Sequence, residues 1–440
     1  MGAWRGSRAA ADSRVAAGLT VAPQAAPHPS SLIRRLGPGL ITGAADDDPA
    51  GIATYSQVGA QFGYGLAWTM LFSLPFMVVM QEISARIGCV TGRGITENLR
   101  RHYHPWLVRG VVLLLLVANV INLGADLGAM GAAAGLLLGG NPRLYTLGFG
   151  IVCVLAEVFF SYAYYAGFLK WLTLALFAYV AVVFSVHVPW DRALLATVVP
   201  HVAFDAPHAM ALVAVLGTTI SPYLFFWQSS LEVEERARRG GPPLCVTPRA
   251  AGPQFARIRT DTMVGMGVSN LVATFIIYAT AATLNASGVT DIQTSAQAAE
   301  ALRPVAGELT FAVFAAGIVG TGLLAVPVLA GSGAYALSEA FRWRSGLDRR
   351  LLQAKAFYAA IAVSTMAGAG LSFTALNPVR ALYWSAVVNG VLAAPVMAVI
   401  MLVAGNGRIM GRLTVPRPML AAGWVATALM LAASVGFFVL

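Results

Sequence analysis

The chain has few charged residues for its length. Only 11% of its 440 residues are Asp, Glu, Lys or Arg, and 58% are hydrophobic, whereas a soluble domain averages about 25% charged residues. The mean hydropathy is +0.72. This shortage of charge excludes an ordinary soluble domain, and it predicts an all-α protein that crosses a membrane many times.

Cysteine and histidine are also scarce. The three cysteines, Cys89, Cys153 and Cys245, lie far apart and form no CxxC pair, which argues against a disulfide framework and a zinc site. The sequence contains no HExxH or GxSxG motif, and Ser332, between two glycines, has no histidine in its own or neighbouring spans. We therefore expect neither an enzyme nor a bound cofactor.

Eleven stretches have the length and apolarity that cross a bilayer, about 20 residues each. They cover 39–60, 64–88, 107–138, 144–164, 168–189, 209–231, 263–285, 308–338, 356–375, 379–404 and 419–439. All but four of the 29 Lys and Arg residues fall on one side of this arrangement, which we call the arginine-rich side; the exceptions are Arg143, Arg192, Arg303 and Arg380. The positive-inside rule then predicts a cytoplasmic N-terminus and an external C-terminus.

The same distribution explains the net charge of +10 without a nucleic-acid partner, because the arginines lie in short loops and do not alternate with aromatics. Residues 1–31 are predicted to be a disordered cytoplasmic tail, and 32–440 a transmembrane domain. The connection 232–262, which is rich in Gly and Pro, is predicted to be a flexible loop. Arginine far outnumbers lysine, which is typical of a GC-rich bacterial genome and favours the bacterial cytoplasmic membrane, with the lipid bilayer as surroundings and a monomer as the oligomeric state.

The first apolar stretch contains three consecutive acids, Asp46, Asp47 and Asp48, followed by Pro49. Acids within a membrane helix cost a few kcal/mol each on insertion scales. Proline removes a backbone donor, so the helix is expected to break here, and freed backbone at this depth must line a cavity or pack within protein. This combination predicts an ion site. Because helical residues are spaced about 100° apart, the three acids are not expected to point the same way, and Asp48 is the predicted ligand.

The sixth stretch repeats the pattern with neutral residues. Thr218, Ser221 and Pro222 place hydroxyls and a proline in mid-membrane. The first and sixth stretches each begin a block of five, 39–189 and 209–404, and an odd number of spans gives the second block the opposite orientation. Interrupted helices at matching positions indicate a transporter site between inverted repeats, with 419–439 as an extra helix. The alternative is a pair of ordinary proline kinks.

The side chains at the two breaks offer oxygen and no soft donor. Asp48, Thr218, Ser221 and, two turns further on, Gln228 are the candidate metal residues, and oxygen ligands suit hard cations such as Mg²⁺, Ca²⁺ and Mn²⁺. Asp46 and Asp47 are assigned to a pathway for ions or protons. In the third stretch, Asn119, Asn122 and Asp126 share one helical face, which indicates either a polar pathway to the site or hydrogen bonds between helices.

The motifs around these positions resemble those of the NRAMP family of divalent-metal transporters. The resemblance rests on Gly37-Pro38-Gly39-Leu40, Asp48-Pro49, Phe62-Gly63-Tyr64, the segment 81–88 and Val90-Thr91-Gly92-Arg93. It implies a LeuT-type fold of five plus five inverted helices and, typically, uptake of Mn²⁺ or Fe²⁺ coupled to protons.

Departures from the family pattern fall on the predicted site. The family's metal-binding Asn corresponds to Gly51, its Met in the sixth span to Ser221, and its His after the proline to Tyr223. Of the two acids in the family's third span, one matches Asp126 and the other falls at Ala129. A roomier site built from oxygen alone suits an ion that keeps part of its water shell, so the chain resembles the NRAMP-related magnesium transporter branch, which implies Mg²⁺ and Mn²⁺ transport with weak or no proton coupling.

Other functions stay open at this stage. A proton-coupled Mn²⁺ or Fe²⁺ symporter of ordinary NRAMP type would use other proton groups, such as Asp126. A sodium-coupled symporter for organic solutes would use the same fold, and a receptor or scaffold would use the basic face. Gly51 joins the candidate metal residues by position, and Tyr223 joins the pathway residues Asn122 and Asp126.

Overall fold

The computed structural model describes residues 37–159, 175–374 and 377–440. The predicted tail, 1–31, lies outside the described residues. Within those ranges the regular structure is helical, as predicted, and it contains no strand.

The α-helices longer than four residues are numbered in chain order. They are α1 Pro38–Asp46, α2 Pro49–Phe62, α3 Trp68–Thr91, α4 Ile95–His102, α5 Pro105–Leu138, α6 Pro142–Phe159, α7 Phe177–Ser185, α8 Trp190–Val198, α9 Ala206–Thr219, α10 Pro222–Arg238, α11 Ala251–Thr280, α12 Ser295–Glu300, α13 Thr310–Phe341, α14 Lys355–Leu371, α15 Pro378–Ala404 and α16 Arg417–Val439. One turn of π-helix, Ala281–Asn285, continues α11.

Eight helical segments of the described ranges are long and apolar enough to cross a membrane. They coincide with the predicted spans two, three, four, six, seven, eight, ten and eleven. The first span is divided into α1 and α2, and the ninth corresponds to α14, an apolar helix of 17 residues. Residues 160–164 and 168–174, in the predicted fourth and fifth spans, lie outside the described residues, so the count of eleven stays a prediction.

Several helices begin with a polar residue followed by proline. Asp48 precedes α2, Ser221 precedes α10 and Asn377 precedes α15. Proline suits the first helical position because its missing N–H would have no partner there, and Asp48 and Asn377 cap their helices with side-chain oxygens. The same dipeptides that interrupt the spans therefore begin the helices that follow.

The first span lies along α11 because glycines remove the side chains between them. A Cβ on Gly43 would overlap the backbone of Gly265, and a Cβ on Gly59 would overlap the carbonyl of Ile277. Such small residues let membrane helices approach at backbone distance. This packing fixes both halves of the first span, α1 and α2, against one helix.

The connection between the sixth and seventh spans is shorter than predicted. Helix α10 continues to Arg238 and α11 begins at Ala251, so most of 232–262 is helical. The remaining loop is attached to the end of α3, since the amides of Leu244 and Cys245 donate to the carbonyls of Cys89 and Val90 at 3.1 and 3.0 Å. The prediction of a flexible loop over 232–262 is therefore wrong, because helix propagation and backbone pairing outweigh its Gly and Pro content.

Candidate metal site

Both predicted helix breaks are present. In the first span, α1 ends at Asp46 and α2 begins at Pro49; in the sixth, α9 ends at Thr219 and α10 begins at Pro222. Asp48 and Ser221 both have extended backbone conformations, which the following proline favours. The breaks free carbonyl groups at the ends of α1 and α9 from helical hydrogen bonds.

Asp48 is buried, with 3% of its surface exposed, and donors from three helices hold its carboxylate. Oδ1 accepts the backbone N–H of Gly51 at 2.7 Å. Oδ2 faces the Asn122 amide at 3.2 Å and the Tyr223 hydroxyl at 3.3 Å. These donors from α2, α5 and α10 fix the direction of the carboxylate, so Asp48 is an oriented group with defined neighbours.

The Tyr223 hydroxyl connects the two breaks. It lies 3.1 Å from the carbonyl oxygen of Ala45, in the last turn of α1, as well as 3.3 Å from Asp48 Oδ2. A phenol has one proton to donate, so these two oxygens share it. The start of α10 is thereby joined to the end of α1, and the two breaks lie side by side.

Three oxygen atoms converge on the space beside Gly51. A Cβ at this position would stand 3.0 Å from Thr218 Oγ1, 3.3 Å from the Asp46 carbonyl oxygen and 3.3 Å from Asp48 Oδ1. The first atom belongs to the sixth span and the other two to the first. The missing side chain of Gly51 therefore leaves room where a hydroxyl, a carbonyl and a carboxylate approach one another.

Further buried oxygens surround this group. Asp126 Oδ1 accepts the N–H of Ala50 at 3.2 Å, in the first turn of α2. Within the described part of the chain, Asp126 Oδ2 and Asn122 Oδ1 have no hydrogen-bond partner. Buried polar atoms are normally paired. These two oxygens are therefore free to accept a hydrogen bond or to bind a cation near Asp48.

Asp46 and Asp47 turn away from Asp48 toward the seventh span. The hydroxyl of Ser269 lies 2.8 Å from Asp46 Oδ2 and 3.0 Å from Asp47 Oδ1. The three acids therefore do not share one direction, as helical geometry predicted. Asp46 still contributes to the surroundings of Gly51 through its backbone carbonyl.

Ser221 and Gln228 make their described contacts elsewhere. The Ser221 hydroxyl lies 3.0 Å from the carbonyl oxygen of Gly217 and 2.8 Å from that of Thr218, so it satisfies its own preceding helix. Gln228 Oε1 accepts the hydroxyl of Thr42, on α1 six residues before Asp48. Both remain predicted metal residues, and the structure brings neither into a described hydrogen bond with Asp48.

The donor set lacks soft ligands and basic side chains. In the described ranges, no group of three or more His, Cys, Asp and Glu residues is arranged to hold a metal. The oxygens near Gly51 are instead a mixture of one carboxylate, one hydroxyl and one carbonyl. Such a set fits a hard cation in transit, which needs moderate affinity, better than a permanently bound transition metal.

Residues 39–440 match the profile of the family described as Natural resistance-associated macrophage protein-like, or Nramp. The chain belongs to the Nramp family. It is an integral membrane protein, and the proteins it resembles are metal transporters, not enzymes.

Curated relatives of this Nramp chain are named divalent metal cation transporter MntH. One from Verminephrobacter eiseniae is 28% identical over 67% of this chain and 66% of the relative. One from Klebsiella pneumoniae is 25% identical over 90% of this chain and 91% of the relative. One from Xanthomonas campestris is 28% identical over 90% of this chain and 87% of the relative.

Solved structures give the fold. The manganese transporter of Eremococcus coleocola superposes with a TM-score of 0.75 at 14% identity, covering 94% of this chain and 88% of that one. The nucleobase-cation-symport-1 family transporter Mhp1 superposes with a TM-score of 0.50 at 17% identity, covering 90% of this chain and 92% of that one. The Nramp chain therefore has the predicted LeuT-type fold.

The side of this Nramp chain opposite the arginine-rich loops contains two neighbouring cavities. A cavity of about 570 Å³ opens there, and Gln57, Asp291 and Arg380 are among its lining residues. The second, smaller cavity shares Ala53, Ile292 and Val379 with the first, and the buried apolar side chains that line it include Ile52, Ile292, Phe314, Ile318 and Leu382. The side chain of Gln57 holds Ile292 in place, because its amide bonds the backbone of Thr290 at 3.1 Å and of Ile292 at 2.9 Å.

Two neighbours of the Nramp site were not predicted from the sequence. Ser269 carries no signal beyond being a hydroxyl in an apolar helix, and its contact with Asp46 and Asp47 depends on how α1 packs on α11. The Ala45 carbonyl belongs to the freed backbone that the Asp-Pro break predicts in general. Asn122 was predicted through its position on the polar face of the third span, and it reaches Asp48 directly.

Proposed function

We propose that this Nramp-family protein is a secondary transporter of divalent metal cations, most of all Mg²⁺ and Mn²⁺, which works by alternating access. The observation that carries the proposal is the convergence of Thr218 Oγ1, the Asp46 carbonyl and Asp48 Oδ1 beside Gly51. Hard dications take carboxylate, hydroxyl and carbonyl oxygens. The names of the MntH relatives support the same class of substrate.

In this proposal Asp48 supplies the negative charge, and Thr218 with the freed carbonyls supplies neutral oxygens. Asn122 and Tyr223 hold the carboxylate in place. Ser221 and Gln228 act at later stages of the passage, when the half-helices have moved. The small residue at position 51 leaves room for water on the ion, which Mg²⁺ gives up reluctantly.

We further propose that proton coupling is weak or absent. Tyr223 stands beside Asp48 as a neutral hydroxyl donor, and no ion pair of the described residues includes Asp48 or Asp126. No described hydrogen bond or ion pair joins Asp48 to a histidine, so metal binding there displaces no proton from an imidazolium. Asp46, Asp47 and Asp126 then serve to lower the electrostatic cost of bringing a dication into the membrane.

A proton-coupled Mn²⁺ or Fe²⁺ symporter is the second candidate. It is favoured by Asp126 Oδ2, which is buried without a described partner and could carry a proton. A sodium-coupled symporter for organic solutes has the support of the fold shared with Mhp1, but the acids at the first break would repel an anionic solute.

The test is uptake by purified protein in lipid vesicles, with competition among Mg²⁺, Mn²⁺, Ca²⁺ and Fe²⁺ and a pH probe inside. We expect Mg²⁺ and Mn²⁺ to compete with each other while the internal pH stays constant, and vesicles with Asp48→Ala protein to give the background. Acidification that follows metal uptake and disappears in that variant would establish the proton-coupled alternative. Failure of all four ions would refute metal transport.

The arrangement of the protein in the membrane follows the charge distribution. We propose a monomer in the bacterial cytoplasmic membrane, with the arginine-rich side in the cytoplasm, repeats at 39–189 and 209–404, and 419–439 as an additional helix. A C-terminal tag should resist protease added from the cytoplasmic side and be cut from the other side.

A further inference from the structure

Asp261, near the start of α11, binds the first turn of α1. Its Oδ1 accepts the N–H groups of Gly37 at 2.8 Å and Leu40 at 3.0 Å, and its Oδ2 accepts that of Gly39 at 2.8 Å. Helix α1 has no side-chain cap of its own, so these amides would otherwise lack helical partners. A carboxylate more than 220 positions along the chain supplies the missing cap, and it also faces the positive end of the helix dipole.

The same carboxylate belongs to a buried charge cluster that reaches the sixth span. Arg257, one turn earlier on α11, has its guanidinium 3.7 Å from Asp261 Oδ2 and hydrogen-bonds the carboxylate of Glu232 on α10. Glu232 is fully buried, and the Asp261 side chain is 1% exposed. Helix α1, which ends at the metal site, and helix α10, which begins there, are thereby both joined to α11 on the arginine-rich side.

Close packing extends this attachment along α1. A Cβ on Gly39 would stand 2.8 Å from the backbone of Asp261 and Thr262, and Gly43 meets Gly265 at backbone distance. At the far end, Ser269 bonds Asp46 and Asp47. From its first turn to its last, α1 therefore contacts α11.

We propose that Asp261 is a gating residue, a carboxylate latch that holds α1 shut on the arginine-rich side of the transport site. The proposal rests on the proposed transport function, because a gate matters only if an ion must leave on that side. Charge-assisted hydrogen bonds to one carboxylate are individually strong but are lost together when the helix moves. A latch of this kind gives two discrete positions for α1, bound and released.

The test measures access to α1 directly. The three cysteines are replaced by serine and Thr42→Cys is introduced as a reporter, because Thr42 is buried on the side of α1 that contacts Gln228 of α10. A membrane-impermeant maleimide is applied from the arginine-rich side. In Asp261→Asn, an amide nitrogen replaces one acceptor oxygen, and we expect labelling to be roughly tenfold faster, as the loss of a charged hydrogen bond implies. Ser56→Cys, on the opposite side of the site, should label no faster.

The matched control is Asp348→Asn. Asp348 is an aspartate on the same side that pairs with Arg238 at 2.9 Å, in the loop between α13 and α14. The substitution Asp348→Asn removes the same charge as Asp261→Asn at a position that makes no described contact with α1, so the labelling rate of Thr42→Cys should not change. Gel filtration establishes that each variant is folded, and Asp261→Glu, which restores the charge, should return the rate part of the way.

A second variant tests the latch without altering charge. Gly39→Ala inserts a methyl group between α1 and α11 and should also speed the labelling of Thr42→Cys; it decides the question if Asp261→Asn does not fold. Unchanged labelling in the folded variant, or an equal increase in Asp348→Asn, would overturn the proposal. The labelling assay does not require transport, so the two proposals can fail separately. If the parent protein transports no cation, the proposed function is refuted, and the labelling rates still test whether Asp261 holds α1.

Discussion

The break in the first span and the break in the sixth span share a backbone design but differ in chemistry. Both place an extended polar residue before a proline, Asp48 in one case and Ser221 in the other. Asp48 is held by Asn122 and Tyr223, which belong to other helices. Ser221 donates to carbonyls of its own preceding helix. The first break therefore presents charge to the site, whereas the second mostly satisfies itself.

This difference shows how the desolvation free energy of a polar site in a membrane is divided between the two breaks. The first break and the third span already bury four acids, Asp46, Asp47, Asp48 and Asp126. A further acid at the sixth span would add its own desolvation cost and repel these carboxylates while no ion is bound. Hydroxyls are cheaper to bury, because Ser221 finds backbone acceptors and Tyr223 finds Asp48 and Ala45. A site with a charged first break and a neutral sixth-span break can thus bind a dication, and it can close again after the ion has left.

Removing the charge should have the largest effect. Asp48→Ala deletes the carboxylate and leaves the Asn122 amide without its described acceptor at this site. We therefore expect Mn²⁺ uptake into vesicles to fall by more than the roughly 10–100-fold typical of residues that only support a metal ligand. Asp47→Ala is the matched control, since Asp47 bonds Ser269. Equal losses in the two variants would mean that the acids act as a group and not through Asp48.

Filling the space between the two breaks should come next. Gly51→Ala places a methyl group 3.0 Å from Thr218 Oγ1, tighter than an ordinary contact, so we expect about tenfold weaker Mg²⁺ uptake, with Mn²⁺ less affected because it dehydrates more readily. Gly267→Ala in α11 meets nothing within 4 Å and should be silent. Equal loss of both ions in Gly51→Ala would argue against a role for ion hydration.

These two predictions use positions that the sequence identifies for different reasons. The Asp-Pro and Ser-Pro pairs predict helix breaks because proline chemistry is local, and both breaks are present. The amphipathic spacing of Asn122 and Asp126 predicts a polar face because helix geometry is regular. The role of Gly51 depends on Thr218, 167 positions away, and only the folded chain brings them together.

The parts that the sequence does not predict depend on packing between distant segments. The proline that follows Asp48 distinguishes it from Asp46 and Asp47, but the contacts of those two acids with Ser269 depend on the packing of α1 against α11. Asp261 reads as one more acid near the end of an apolar stretch, and nothing local indicates that it caps α1. The connection after α10 differs from its prediction because its backbone pairs with the end of α3, far away along the chain.

The hydroxyl that joins the two breaks should have a moderate effect. Tyr223→Phe removes the proton shared by Asp48 Oδ2 and the Ala45 carbonyl, and a net hydrogen bond is worth about 0.5–1.5 kcal/mol. We expect metal affinity, measured by calorimetry on purified protein, to weaken by roughly 3–10-fold. Tyr64→Phe removes a buried hydroxyl with no described partner and should leave affinity unchanged. A gain in affinity in Tyr223→Phe would show that the hydroxyl competes with the ion.

The smallest effect should come from the serine of the second break. Ser221→Ala removes a hydroxyl that satisfies the carbonyls of Gly217 and Thr218, and freeing those acceptors supplies the site with oxygen in place of the oxygen it loses. We expect Mg²⁺ affinity to change by less than about threefold, within the range of one neutral hydrogen bond. Ser221→Met adds a thioether at the same place and should raise the affinity for Fe²⁺ relative to Mg²⁺, since sulfur favours softer ions. A loss in Ser221→Ala as large as that in Asp48→Ala would erase the contrast between the two breaks and make the sixth span an equal partner in binding.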